Sequence, residues 1–573
     1  MTSPLSFMKG LFFGLVQPQA VFPFPRQSEG ERETTQMLLD AYRQFAEAEL
    51  DGGRFDREHA VPARIREQLG EMGILGLTIP EEHGGAGLGY TAYCRIMEET
   101  NRHCGATAVV IGGHQSIGIK ALILHGTEEQ KREWLPKLAT GEWMAAYALS
   151  EPQAGSDPAS METFAEEQAD GSYVLRGQKI WITNGGFASF MTVFAKTDDG
   201  AGGRKVTCFV LTPEEMKEGF RRGAEEKKLG LRGSSTTQIF FDSCRVPAKN
   251  ILGEKGRGLK VAFEVLNYGR TSLAAGCVGA SKRMLEESAR HARERVQFGQ
   301  SISSFELIQA KLAEMASDIY AMESIAYLTT GMADRGDADF SLEAAACKVF
   351  CTEAHWRSCN HGVQIAGGIA YVEEYPFERF LRDARINMIF EGTNEILHHF
   401  IAMNGLRAPG QALREIAKGG APSADDLFEV ARRMAGCEDG RRFGNVGEAL
   451  ASEVRALEDG ARELGRATFA ALAALAAHRD GIEQAELIQE RLAETAMNLF
   501  VGFACASRLD GAVRERGEAA CADEMIVGRK ALRDALSRVR ANLALLGRND
   551  DDLLRRASAI VTPADTWPFP LIP

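Results

Sequence analysis

SYVLRGQKIWITNG, Ser172–Gly185, decides how the chain is organised, because its short β-branched and aromatic runs broken by Gly read as strand and turn. SFMTVFAKT (189–197), KVTCFVLT (205–212) and TTQIFFDSCRVP (236–247) carry the same texture forward, separated by Gly, Asp and Pro. Upstream, from Thr34 to about Gly141, apolar residues fall three and four apart in TTQMLLDAYRQFAEAEL, ARIREQLGEMG and YTAYCRIMEETNRH, the spacing of helices with one buried face. HGGAGLG, His83–Gly89, reads as a flexible connector between them. Helical periodicity returns near Gly258 and runs through FELIQAKLAEMASDIYAMESIAYLTTGM and AACKVFCTEAHWRSCNHGVQI, partly Ala-rich as a packed bundle requires. The predicted class is mainly α with an inserted β domain. Its parts are an N-terminal helical domain over 30–145, a central β domain over 146–255 and a helical bundle over 256–405. GLRAPGQALREIAKGGAPSADD (405–426) reads as a linker into a C-terminal helical extension, 406–573.

Composition narrows the function. A chain of 573 residues, 45% hydrophobic and 25% charged, can build a large core, and is neither disordered nor fibrous. Its 66 Lys and Arg against 79 Asp and Glu leave −13, which argues against nucleic-acid binding through a broad basic surface. The 11 cysteines are sparse and odd in number, with no CxxC pair, so reduced thiols and a cytoplasmic location are expected. No run of about 18 consecutive apolar residues is present, and Ala467–Ala477 would reach only about 16 Å as a helix. The opening MTSPLSFMKGLFFGLVQPQAVFPF lacks a convincing cleavage site, so it is expected to be mature and to pack on the fold or on a membrane surface.

Several constellations have plain explanations. Cys347, Cys351, His355 and Cys359 recur every four residues, which on one helix spreads them along about 18 Å, so they read as a buried face and no metal site is expected. His83-Gly84-Gly85 has no GxSxG nucleophile to serve, GEKGRG (253–258) lacks dinucleotide-binding spacing, and no Walker A pattern occurs. By contrast, YALSEPQAGSD (147–157) and WITNGG (181–186) offer small residues, the hydroxyls of Ser150, Ser156 and Thr183, and the flat face of Trp181. That set suits a planar heterocycle with a polar edge, such as a flavin.

YALSEPQAGSD, GQKIWITNGG, KKLGLRGSSTTQIFFDSCRVP, RVQFGQSISSFELIQAKLAEMA, QIAGG and RDARINMIFEGTNEI, in this order over roughly residues 30–405, strongly resemble the acyl-CoA dehydrogenase family. HQSIGIKALILHGT, LNYGRTS and the long C-terminal block are most similar to its very-long-chain branch. The resemblance implies non-covalent FAD and removal of the α and β hydrogens of an acyl-CoA, electrons passing to an electron-transfer flavoprotein. An oxidase using O2 and an assembly or scaffold protein of the same fold are the alternatives, and the intact Glu391 and flavin motifs weigh against the scaffold. Glu391 in IFEGTNEI falls on the family's catalytic carboxylate; the branch that places its base just before Arg270 has no counterpart here, since that position is Gly269.

Residue by residue, the resemblance puts Tyr147, Leu149 and Ser150 against the flavin, with Trp181 and Thr183 beside it and Ser156 at both cofactor and substrate. It puts Arg295, Phe298, Gln364, Gly367 and Gly368 on the adenine and pyrophosphate half across a subunit interface, which implies a homodimer, and Thr393 and Glu395 near the cofactor. Asn267 and Arg270 fall where CoA and the thioester lie, Phe390 forms an aromatic wall, and Gly392 leaves room beside the flavin. Phe390 stands where some relatives have Tyr, and Gln153 where Gly is common. Thr393 or Asn394 can cap the following helix. Ala108, Gly112 and Gly113 leave space for a long acyl tail, so long-chain substrates are expected, and the extension implies peripheral contact with the inner membrane face.

Overall fold

The computed structural model describes residues 6–337, 339–417, 446–476 and 481–569. Its helices are α1 (Phe7–Leu11), α2 (Pro18–Val21), α3 (Glu29–Glu49), α4 (Gly52–Glu58), α5 (Ala63–Glu71), α6 (Tyr90–His103), α7 (Gly105–Gly112), α8 (Lys120–His125) and α9 (Glu128–Ala139), with one π-helical turn, Gly113–Gly118, between α7 and α8. Strands β1 (Ala145–Ala148), β2 (Phe164–Glu167), β3 (Tyr173–Thr183), β4 (Phe190–Asp198), β5 (Arg204–Leu211), β6 (Phe220–Glu225), β7 (Thr236–Val246) and β8 (Ile251–Leu252) follow. After α10 (Gly258–Glu294), the hairpin β9 (Val296–Gln297) and β10 (Gln300–Ser301) leads to α11 (Glu306–Asp334), α12 (Ser341–Ala366), α13 (Phe377–Arg385) and α14 (Asn394–Ala417). The last helices are α15 (Ala451–Ala476), α16 (Glu486–Arg516), α17 (Ala522–Gly547) and α18 (Asp551–Val561).

Contacts divide the chain into two compact units: 21–397 with 507–531, and 1–20 with 398–506 and 532–573. In the first, the sheet runs β6-β7-β3-β2-β4-β5-β8, and β1 pairs in parallel with β4, Tyr147 opposite Thr192. The residues read as strands are those whose alternate side chains fill a core of Leu175, Ile182, Met191, Phe209 and Ile239. Beside the sheet, α10 is the long central helix. Gly276 and Gly279 let it cross α6 with backbones touching, since a Cβ at 279 would run into the Glu98 carbonyl. Lys282 of α10 joins Glu98 of α6, Glu323 of α11 and, through Glu323, Arg508 in one part-buried charge network. Cys347, Cys351 and Cys359 are fully buried on α12, and His355 bonds Ser281 through Nδ1 at 2.9 Å, so this four-residue repeat is a packing face.

The second unit explains the N-terminal apolar patch. Phe7 sits 5.8 and 5.4 Å from Phe500 and Phe503, and Met8, Leu11 and Phe12 are fully buried beside the C-terminal helices. This segment is core.

Two expectations need correction. HGGAGLG is not a loose connector: His83 is buried, and Gly85 lies so close to the Ile79 carbonyl that no side chain fits, so glycine here serves close approach. The expected linker 405–426 is helical through Ala417, with Pro409 inside α14 and Leu406 and Ala412 buried; 418–426 lies outside the described residues. One segment among the described residues, Gly105–His125, is long and apolar enough to cross a membrane, although no unbroken 18-residue apolar run exists. Most of it is buried inside the protein, and it lines the site described next.

Candidate active site

The site is built where four elements meet: the α7–π-turn segment, the β1/β3 edge, α10 and the turn before α14. The π-turn is held against the sheet by His114. Burial pushes its imidazole down to about 4, so it is neutral; Nδ1 accepts from Ala145 N–H at 3.0 Å and Nε2 donates to the Leu138 carbonyl. Asn184 of the WITNGG turn donates to the Val110 and Ala145 carbonyls at 3.0 and 3.2 Å, tying α7 to β1. Gly113 then lies so near Thr183 that a Cβ would come within 2.8 Å of its methyl group.

Between these elements runs a slot with a cavity volume of about 80 Å³. Small residues, Gly105, Ala108, Gly112, Gly113, Gly276 and Ala280, line it among larger ones such as Met97, Leu231 and Phe380, and Thr183, Phe390 and Glu391 line it too. Ser116 and Ser272 bond each other at 2.7 Å along its side, and Ser272 donates to the Gly269 carbonyl.

Glu391 is the chemically distinctive group. It has φ 60 and Gly392 φ 94, so the turn before α14 is left-handed at two successive residues. A Glu in that region carries strain on the order of 1 kcal/mol or more, which surrounding contacts must hold. Arg270 Nε donates to the Glu391 carbonyl at 3.2 Å, and Lys348 Nζ donates to the Gly392 carbonyl at 2.7 Å. Burial pushes the Glu391 carboxyl up to about 7, against the opposing pull of Arg270 and Lys348. Its Oε2 has no hydrogen-bond partner among the described residues. That oxygen occupies the space a side chain at 269 would need: a Cβ there would stand 2.7 Å from it.

The sequence-derived residues fall in different places. Glu391, Thr183 and Phe390 line the slot; Arg270, Asn267 and Gly392 adjoin it through bonds to the Glu391 turn and to one another, Arg270 reaching Asn267 Oδ1 at 3.4 Å. On the β1/β3 edge, Tyr147 is buried and donates to the Ala262 carbonyl, Leu149 and Ser150 are half-buried, Ser156 is exposed, and Trp181 turns its ring outward, 61% exposed with φ 56. Arg295, Phe298, Gln364, Gly367 and Gly368 do not line the slot; all five are exposed, Phe298 at 94%. Thr393, not Asn394, caps α14, its Oγ1 accepting from Ile396 N–H, and Glu395 is exposed.

Three participants were not singled out in the sequence. Lys348 sits in AACKVFC, next to the Cys347 of the four-residue repeat. Glu151 and Lys179 pair at 2.7 Å, both buried, and bind the 149–163 loop to β3: Lys179 also donates to the Leu149 carbonyl, and Glu151 accepts from Thr163 N–H. A lysine inside an otherwise apolar helix or strand face is the signal that could have marked both cations. An outward aromatic face, and a hydroxyl and an orphaned carboxylate oxygen that line one slot, fit a planar redox group with a substrate beside it.

Three family models match in order: acyl-CoA dehydrogenase N-terminal domain over 32–142, middle domain over 146–244 and C-terminal domain over 256–406. The chain is 37% identical over 555 residues to the mitochondrial very long-chain specific acyl-CoA dehydrogenase of Homo sapiens, covering 94% of this chain and 84% of that protein. The mitochondrial short-chain specific acyl-CoA dehydrogenase of Homo sapiens is 40% identical over 383 residues, 66% of this chain and 91% of that protein. Among solved structures, an acyl-CoA dehydrogenase complexed with FAD from Bacillus anthracis superposes with TM-score 0.78 at 31% identity, over 100% of this chain and 97% of that one.

Proposed function

Because the chain belongs to the acyl-CoA dehydrogenase family, an oxidoreductase family, we propose that it oxidises long or very-long-chain acyl-CoA to trans-2-enoyl-CoA in fatty acid β-oxidation, with Glu391 as the base. FAD is the cofactor, and it supplies the acceptor for the β-hydrogen, taken as hydride. Trp181, Thr183 and the backbone of Tyr147–Ser150 would hold its ring. The observation that carries the reading is Glu391: a carboxyl that burial pushes up to about 7, with an unbonded oxygen, lining the slot.

The chain's own groups divide the work. Glu391 removes the α-proton as the Cα–H electrons move into the new double bond. A thioester α-proton is too weak an acid for a free carboxylate, so charge on the carbonyl oxygen must be met as it develops, a task for the Glu391 N–H. A bound acyl chain displaces water from the slot and raises the basicity of Glu391 further. Gly269 makes room for this carboxylate. Gly269→Ala is expected to retain fold and flavin while pushing the Glu391 side chain aside, lowering the rate of flavin reduction about 10–100-fold; an unchanged rate in stopped-flow reduction would place the base elsewhere.

Long chains are favoured by Gly105, Ala108, Gly112, Gly113, Gly276 and Ala280 along the slot, and by a likeness to the very-long-chain enzyme that extends past residue 406. Anaerobic titration of the flavin-loaded protein with acyl-CoAs of increasing length tests this. Bleaching by long chains only is the expected result; absence of bleaching with every chain length sinks the enzymatic reading. Slow reoxidation in air, with rapid reoxidation by an electron-transfer flavoprotein, is expected of a dehydrogenase; fast reoxidation by O2 assigns an oxidase.

A homodimer is supported by the exposure of Arg295, Phe298, Gln364, Gly367 and Gly368, which would serve a neighbouring subunit's cofactor. Peripheral contact with the cytoplasmic face of a membrane is supported by Leu553, Leu554, Ile560 and Val561, all exposed on or beside α18. Sedimentation and vesicle flotation are the deciding measurements for these two.

A further inference from the structure

Lys348 is a fully buried charge on α12. Its Nζ donates to the Gly392 carbonyl and to Asn394 Oδ1, both at 2.7 Å. Asn394 is itself fixed from α12, donating to Glu353 Oε1 at 3.1 Å and to Thr352 Oγ1 at 3.2 Å. The turn Glu391-Gly392 is thus grasped from two helices: Arg270 of α10 holds the carbonyl of the first residue and Lys348 of α12 that of the second. Two consecutive left-handed residues need such a grip, because relaxation of either peptide would redirect both the Glu391 carboxylate and its N–H.

We propose that Lys348 is a positioning residue for the catalytic base, clamping the left-handed Glu391-Gly392 turn through the Gly392 carbonyl and Asn394 while its positive charge favours the carboxylate form of Glu391. This rests on Glu391 being the base. The charged and titratable groups facing Glu391 are Arg270 from α10, Lys348 from α12 and Tyr147 from β1, and those facing Lys348 are Glu391, Arg270, Cys277 and Glu353. Burial brings the Lys348 ammonium down to about 7, where the carboxylates of Glu391 and Glu353 help to retain its proton. Lys348 in turn pulls the Glu391 carboxyl down against the effect of burial, so each charge favours the other.

The test compares wild type with Lys348→Met, which keeps length and removes charge and donors, and with Lys348→Gln, which retains a donor without the charge. The first readout is independent of turnover: the infrared carboxyl band of Glu391, identified by its loss in Glu391→Gln, followed from pH 5 to 9. The midpoint is expected to rise by about one pH unit in both variants. The second is the rate of flavin reduction by acyl-CoA at pH 7, expected to fall about 10–100-fold in Lys348→Met and less in Lys348→Gln, with partial recovery at higher pH and little change in acyl-CoA affinity. An unmoved carboxyl midpoint overturns the proposal. So does failure of both variants to fold or hold FAD, which assigns Lys348 to the fold alone. If the wild type itself is not bleached, the functional reading fails, and the infrared midpoint still decides whether Lys348 governs Glu391.

Discussion

Glu391→Gln is expected to bind FAD and acyl-CoA and to lose flavin reduction by roughly 10²–10⁴-fold, the usual contribution of a positioned general base. The substitution is a sharp test because it is local. The backbone N–H of residue 391 remains, the Arg270 and Lys348 bonds are to backbone carbonyls of the turn, and the amide has nearly the volume of the carboxyl. Only proton abstraction is lost. In the wild type the carboxyl sits at about 7, so the base is increasingly protonated as pH falls below that value, and reduction is expected to drop toward tenfold per unit. A pH profile that stays flat down to pH 5 would contradict the assignment.

The same residue makes a second, opposite prediction for stability. Its folded pKa lies above the ordinary carboxyl value, so between about 4.5 and 7 the folded state holds the proton more tightly than the unfolded chain. Stability is therefore lost as pH rises through this window, by about 3 kcal/mol at most. Glu391→Gln removes that penalty, so the variant should unfold at a higher temperature than wild type at pH 8 and show little or no gain at pH 4.5. A buried carboxyl that weakens its own fold as it ionises is the pattern expected of an active site.

How much of this was legible in the chain depends on whether the determining contacts are local. The helix-strand-helix order follows from periodicity, because the face each segment buries is written every two or every three to four residues. Glu391 stood out through the motifs around it. Its neighbours did not: Lys348 and Lys179 are single letters in apolar stretches, and only tertiary packing turns a lysine from a solvated charge into a clamp. Gly269 read merely as a position that cannot abstract a proton, whereas the fold shows it as the space the carboxylate occupies. The apolar N-terminal patch left two readings open, packing on the fold or on a membrane, because its partners, Phe500 and Phe503, lie nearly five hundred residues away. Gly105–His125 shows the same limit in reverse, since its hydropathy reflects burial against α10 and the sheet.

The buried pair Glu151–Lys179 carries the second large expectation. Lys179 is fully buried on β3, and burial brings its ammonium down to about 8 although Glu151 lies 2.7 Å away. Burial would push the Glu151 carboxyl up, but Lys179 and the Thr163 and Glu162 groups outweigh it and hold the carboxyl below its ordinary value. Lys179→Met leaves that carboxylate buried without its counter-charge, a change that typically costs about 3–5 kcal/mol. Unfolding at pH 7 should show a loss of this size, and the loss should shrink as pH is lowered, because the stranded Glu151 can then take up a proton. Adding Glu151→Gln to Lys179→Met should restore much of the stability, since neither residue is then charged. FAD affinity separates two roles for the pair. Glu151 begins the loop that follows Leu149 and Ser150, and Lys179 also holds the Leu149 carbonyl at 3.1 Å. If the pair aligns the flavin edge, the double variant should regain stability while still binding FAD more weakly than wild type; full recovery of both would make the pair a fold element alone.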